Sequence, residues 1–253
     1  MILRLILSLL LLSAISSAAW ADPTCSVTEA SSVTEADPQT VVFTPEAGSD
    51  RVVVVDVGAR DNETTTVDVA SVTSSAGGTY TRFDAHVGTS GGGDIRVFRY
   101  YSTDFAAGSQ TLSVDYTGSV LTSTVAVYTC FGVNTASPWR GAATKGANGS
   151  ASGTGSIDVP SAVGDLVLDL IHVRSAGTSV SPSAGAGQTA IYSIANAGDN
   201  DDTGASFEAG AAGNVTMSWT WTDGAGDAYV MLGGSLQPPP AASFGPLRRR
   251  GAQ

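Results

Sequence analysis

The sequence predicts an all-β protein, an antiparallel sandwich of two β-sheets. Apolar and polar residues alternate in short runs such as DIRVFRYYS (94–102) and VTMSWTW (215–221), which is the period-two pattern of strands. Thr, Val, Tyr and Trp dominate these runs and suit pleated, half-buried surfaces. Clusters of Gly, Ser, Ala, Asn and Asp separate the runs and indicate turns. No stretch after residue 21 keeps a helical apolar stripe.

The start of the chain has the features of a secretory signal peptide. Arg4 supplies a positive charge, residues 3–15 form an apolar run, and Ala19-Trp20-Ala21 matches the small-residue cleavage site. The run is shorter than the roughly 18–20 residues of a membrane-spanning helix. We therefore expect residues 1–21 to be removed, and a secreted, cell-surface or periplasmic chain without a transmembrane span. Residues 22–40 are expected to form an N-terminal lead-in.

Length and charge limit the classes of partner. The 253 residues carry a formal net charge of −11, enough chain for one large all-β domain or two small ones. A chain this acidic is repelled by nucleic acid and by anionic membrane surfaces. Cations, neutral glycans and other surface proteins remain as partners.

The chain has two cysteines, Cys25 and Cys130. An oxidising compartment permits a disulfide between them, which would pin the N-terminal segment to a later strand. Sequence spacing cannot decide this, because a bridge needs the two Cα atoms within about 7 Å. The alternative is a buried free Cys130 and an exposed, oxidisable Cys25.

Four pairs of similar segments recur in the same order along the chain. VVVDV (53–57) resembles LVLDL (166–170), and AAGSQTLSVDYT (106–117) resembles AAGNVTMSWTWT (211–222). SAG at 75–77 recurs at 183–185. An apolar strand closes each part, TVAVYTCFG (124–132) in the first and AYVMLGGSL (228–236) in the second. This order predicts an internal duplication with halves at about 41–135 and 157–237. One sheet cannot bury its apolar face alone, so the halves are expected to share one interior within a single sandwich, residues 41–237.

Two pairs of residues within the repeats are candidates for a function. Trp219 and Trp221 lie on the same side of one strand, where they fill the core, form an aromatic platform for a sugar ring, or contact a partner. Asp56 and Asp169 occupy the same place in the repeated phrase. They are interpreted as outward solvated residues, as inward carboxylates that discourage edge pairing, or as ligands.

The acidic segment DNDDTG (199–204) is a candidate calcium site, with Asp199, Asp201 and Asp202 as tentative ligands. It is not an EF-hand, because the twelfth position is Gly210 rather than a carboxylate. The alternative is a polar turn. No other cofactor is expected.

The end of the chain, residues 238–253, is rich in proline and finishes near three consecutive arginines. Proline favours an extended, semi-rigid chain. We interpret this segment as a disordered tail, with electrostatic docking as the alternative.

The segments VPSAVGDLVLDL, AGAGQT and AAGNVTMSWTW, followed by a closing apolar strand, resemble a bacterial secreted β-sandwich domain. Such domains are similar to concanavalin A-like and jelly-roll modules, and the resemblance covers roughly residues 40–238. It implies surface display, adhesion or glycan contact without catalytic residues. We therefore expect a non-catalytic glycan-binding or adhesive protein. The alternatives are a polysaccharide hydrolase or lyase using Asp56 and Asp169, and a structural subunit of a surface filament or coat.

Overall fold

The computed structural model describes residues 23–34, 36–61, 66–90, 93–151, 153–175, 177, 179–196, 200–222 and 227–241. These residues form antiparallel sheets and contain no helix, which confirms the all-β prediction. Accordingly, none of their segments is a helix that could cross a membrane. The predicted signal peptide, most of the proline-rich tail and Asp199 lie outside the described residues.

The strands up to residue 131 are called the first half and the strands from residue 144 onward the second half. The described part of the first half contains eight strands in two sheets. They are β1 (Thr24–Thr34), β2 (Gln39–Phe43), β3 (Val52–Asp61), β4 (Asp68–Ser74), β5 (Thr81–Ser90), β6 (Gly93–Ser102), β7 (Gln110–Thr117) and β8 (Val120–Phe131). Sheet A has the order β1-β8-β3-β6-β5, and sheet B has the order β2-β7-β4.

The described part of the second half also contains eight strands. They are β9 (Thr144–Ala151), β10 (Thr154–Ser161), β11 (Leu166–Arg174), β12 (Ser183–Ala184), β13 (Thr189–Ile194), β14 (Asp201–Ala209), β15 (Gly213–Thr220) and β16 (Asp227–Leu236). Sheet C has the order β9-β16-β11-β14-β13, and sheet D has the order β10-β15-β12.

The two halves have the same strand order. Replacing each strand of sheets A and B by the strand eight places later gives sheets C and D. The similar segments 106–117 and 211–222 fall on the counterpart strands β7 and β15, and the closing apolar segments fall on β8 and β16. Counterpart residues in the two halves can therefore be compared through their pairing registers.

The sheets stack in the order B, A, C, D, with an apolar layer between each pair. Sheets A and C pack face to face, and strand β1 lies over β13 while β5 lies over β9. This middle layer is shared by both halves and includes Val54, Ile95, Tyr128, Leu168 and Leu232. The described residues thus form four sheets rather than the predicted two, because sheets A and C are apolar on both faces.

The repeated phrase does not occupy equivalent faces in the two halves. Val53 and Val55 face sheet B, whereas Leu166 and Leu168 face sheet A. Alignment of the closing segments 124–132 and 228–236 makes Ala126 the counterpart of Val230. Asp56 pairs with Ala126 and His172 pairs with Val230, so the counterpart of Asp56 is His172 rather than Asp169. The repeated phrase aligns Asp56 with Asp169, three residues before its counterpart His172. Because side chains alternate along a strand, this odd difference places the residues of the phrase on opposite faces in the two halves.

The disulfide prediction is confirmed. Cys25 on β1 is bonded to Cys130 on β8, and the two residues are direct partners in the antiparallel ladder. The bond closes a sequence separation of 105 residues. It fixes β1, an edge strand of sheet A, to β8, while the Cys130 side chain lies in the middle apolar layer.

Candidate functional site

A buried ion pair lies at the centre of the middle layer. The Arg99 guanidinium donates from Nε to Asp56 Oδ1 at 2.6 Å and from Nη2 to Oδ2 at 2.7 Å. Tyr128 donates its hydroxyl to Asp56 Oδ2 at 2.8 Å. Arg99 also donates across the layer to the backbone carbonyl of Asp169 at 3.0 Å. The pair therefore joins sheet A to sheet C.

The ion pair is fully enclosed, since the side chains of Arg99 and Asp56 are both 0% exposed. Burial alone would lower the pKa of Arg99, but the Asp56 carboxylate beside it raises that pKa above its ordinary value. Burial also raises the pKa of the Tyr128 hydroxyl. Arg99 and Tyr128 therefore both keep their protons over the ordinary pH range, so this cluster is suited to joining the sheets rather than to exchanging protons.

Asp169 lies in a different layer, between sheets C and D. Its carboxylate accepts hydrogen bonds from the Ser206 amide at 2.9 Å, the Ser206 hydroxyl at 2.7 Å and Trp219 Nε1 at 2.6 Å. Gln188 Nε2 approaches at 3.4 Å, and Gln188 Oε1 accepts from the amide of Ser218. The network fixes the Trp219 indole and covers one edge of β15.

We expect Asp169 to make stability fall as pH rises. Burial raises its pKa to about 6, and hydrogen bonds from Ser206 and Trp219 only partly oppose this. A raised folded-state pKa gives stability that is present below pH ~4 and lost as pH rises through about 6. The difference in unfolding free energy between wild type and Asp169→Asn should shrink by up to about 3 kcal/mol between pH 4 and 7. Urea unfolding across this range measures it, and parallel pH curves would contradict it.

Asp56 and Asp169 do not form an exposed or paired site. Both are 0% exposed, so the interpretation as solvated outward residues is wrong. Their carboxylates lie in different layers and are occupied by Arg99 and Tyr128 in one case and by Ser206 and Trp219 in the other. Paired carboxylates that cleave a glycosidic bond must flank a substrate. The carboxylates of Asp56 and Asp169 are buried in separate layers and cannot flank one.

The tentative calcium ligands are directed to different partners. Asp201 faces the middle layer, where Oδ2 lies 3.0 Å from Arg60 Nη1 and accepts from Thr122 at 2.8 Å. Asp202 accepts from the backbone amides of Val180 and Asn196 at 2.6 and 2.7 Å. Within the described ranges, no three His, Cys, Asp or Glu side chains are placed to hold a metal ion. With Asp199 outside those ranges, a calcium site remains a prediction.

The two tryptophans lie in the layer between sheets C and D. Trp219 is 1% exposed and Trp221 is 8% exposed. This placement agrees with the core-filling interpretation of the two tryptophans. It does not suit a sugar platform, because a sugar stacks only on a ring face that solvent can reach. Trp219 packs against Gly204, where a Cβ atom would lie 2.7 Å from the indole.

A surface cavity of about 360 Å³ lies where β10, β15 and β16 meet. Its lining consists of hydroxyl residues, a glycine and two aromatic residues, namely Thr154, Gly155, Ser156, Ser218, Trp219, Thr220 and Tyr229. Thr154, Ser156 and Thr220 are exposed, and Tyr229 is partly exposed. Tyr229 therefore supplies the accessible aromatic surface, while the buried Trp219 contributes to the wall.

Gly155 makes room for the Tyr229 ring. A Cβ atom at position 155 would lie 3.1 to 3.2 Å from three carbons of that ring, closer than ordinary van der Waals contact. Tyr229 also contacts Trp221 edge to face, with ring centroids 5.8 Å apart. The ring is thus held between a glycine and an indole, which favours a fixed orientation.

The first half is filled at the equivalent position. Gln39 pairs with Val114 as Gly155 pairs with Trp219, which makes Gln39 the counterpart of Gly155. The buried Gln39 side chain accepts hydrogen bonds from Tyr116 at 3.2 Å and Ser123 at 2.5 Å.

In the second half the corresponding polar groups are paired differently. Trp221, the counterpart of Tyr116, donates from Nε1 to Asp227 Oδ2 at 3.0 Å. No side chain is then needed at position 155 to accept a hydrogen bond from the Trp221 indole.

Sequence reasoning identified Trp219 but missed Gly155 and Tyr229. Tyr229 lies in AYVMLGGSL, which the sequence analysis treated as an apolar closing strand. Alignment of this strand with TVAVYTCFG places Tyr229 against Val125, and this change from a small to a large residue was the available signal.

Comparison with known proteins adds no relative to this description. No protein-family model matches the chain, and a search of curated proteins gave no match. The resemblance to concanavalin A-like modules therefore has no family match to support it, and the function has to be inferred from the geometry.

Proposed function

We propose that this protein is a secreted, non-catalytic carbohydrate-binding protein whose site is the cavity between β10, β15 and β16. The observation that carries the proposal is the combination of one partly exposed aromatic ring with a row of hydroxyl groups at that cavity. The cross-strand disulfide supports a location outside the cytoplasm, because such bonds persist in oxidising compartments.

The lining suits a saccharide in both its apolar and its polar parts. An aromatic ring offers an apolar face with a polar edge, on which the C–H face of a sugar ring can pack. Serine and threonine hydroxyls both donate and accept, as sugar hydroxyls do. The volume of about 360 Å³ lies near the lower end of ordinary ligand pockets, which fits one or a few sugar units.

A glycan array followed by calorimetry tests the proposal. We expect binding by the full chain and a weaker affinity for Thr154→Ala and Thr220→Ala, by about 3- to 10-fold each, because each loses a hydroxyl hydrogen bond. Thr216→Ala is the matched control: Thr216 lies on the same strand as Thr220 but bonds Asp158 outside the cavity. This control should bind like wild type.

The same measurements with and without calcium test the predicted cofactor. A calcium-dependent affinity would support a site completed by Asp199. No binding to any glycan in either condition would contradict the carbohydrate proposal, and equal loss in all three alanine variants would place the site elsewhere.

A further inference from the structure

We infer that the ligand is a neutral saccharide and that each chain binds it at one site only, in the second half. This inference rests on the proposed carbohydrate function and adds the chemical class and the number of sites.

The chemical class of the ligand follows from the uncharged lining of the cavity. None of the seven lining residues is an acid, a lysine, an arginine or a histidine. A bound carboxylate or sulfate would have no cation here to compensate its loss of water, which is costly for a charged group. The chain also carries a net charge of −11, which repels anionic sugars at longer range. An uncharged sugar meets neither penalty.

The single site follows from the comparison of the two halves. Strand pairing makes Gln39 the first-half counterpart of Gly155. Alignment of segments 124–132 and 228–236 makes Val125 the counterpart of Tyr229. Gln39 is 1% exposed and Val125 is 0% exposed, so the first half presents no accessible ring there. The same fold position is therefore filled by a buried glutamine in one half and by a partly exposed tyrosine ring in the other.

Nuclear magnetic resonance titration of the full chain tests both parts. The probes are free neutral hexoses and the matching uronic acids, added at low and high salt. We expect neutral hexoses to shift the amide signals of residues 154–156 and 218–220, with one bound sugar per chain and little effect of salt. The corresponding first-half residues around Gln39 and Val114 should not shift.

Substitution of the first half's residues into the second gives the sharpest variant. Gly155→Gln with Tyr229→Val reproduces the pair present in the first half, so the fold has a packing precedent. We expect this double variant to lose binding by at least about tenfold, the equivalent of ~1.4 kcal/mol. Tyr229→Phe keeps the ring and should weaken binding by less than about tenfold, since it loses at most one hydroxyl hydrogen bond.

The outcomes separate this inference from the proposed function. Binding of uronic acids in preference to neutral hexoses, or two bound sugars per chain, would overturn the inference while carbohydrate binding stands. Unchanged affinity in a folded Gly155→Gln/Tyr229→Val variant would move the site away from the cavity. No response to any sugar would remove the proposed function itself.

Discussion

Replacing Arg99 with methionine should destabilise the protein by about 3–5 kcal/mol. The substitution keeps an unbranched apolar side chain but leaves the fully buried Asp56 carboxylate without its cation. A buried charge that loses its partner costs this much because desolvation is no longer compensated. Ordinary domains are stable by only 5–15 kcal/mol, so the loss is a large fraction of the total. Urea unfolding of the purified variant measures it.

Two further variants distinguish charge from packing. Arg99→Met combined with Asp56→Leu removes both charges and should recover most of the lost stability. Lys145→Met tests an ion pair that also joins sheets A and C, but the Lys145 and Asp84 side chains are 38% and 32% exposed. This exposed pair should contribute less than about 1 kcal/mol. A loss in Arg99→Met as small as that in Lys145→Met would contradict the importance of burial.

Reducing the disulfide should cost about 4 kcal/mol. The bond closes a sequence separation of 105 residues, and restricting so long a loop removes much of the conformational entropy of the unfolded chain. It also holds β1, one of the two edge strands described for sheet A, to the neighbouring strand β8. The urea midpoint should therefore fall when a reducing agent is added.

A variant without cysteines provides the control. Cys25→Ser with Cys130→Ala should have a low midpoint that does not respond to reducing agent, because the chain has only these two cysteines. Two free thiols in the oxidised wild-type protein, or a midpoint unaffected by reduction, would contradict the prediction.

The strands and turns were predictable because they depend on local sequence. Period-two alternation in residues 94–102 and 215–221 corresponds to β6 and to β15 with its continuation. The similar segments 106–117 and 211–222 fall on counterpart strands, so the order of the repeats anticipated the common strand order. The shared apolar layer was also expected, because one sheet cannot bury its own apolar face.

The number of sheets was not predictable from alternation alone. All ten residues of β3 are buried, because sheet A is covered by sheet B on one face and sheet C on the other. Its run VVVVDVGA is nearly continuous in apolar residues, which is the pattern of a strand buried on both faces. Treating it as alternating made a solvated, outward Asp56 one of the interpretations.

By itself, the sequence determined the all-β class, the strand segments and the repeated order of strands, because backbone propensity and side-chain periodicity are local properties. The tertiary structure alone decided which face of each strand is covered, and thereby paired Asp56 with Arg99. It also decided that Gln39 fills a position that Gly155 leaves to the Tyr229 ring. These outcomes depend on residues that are distant in sequence and meet only when the sheets stack, so no local pattern could specify them.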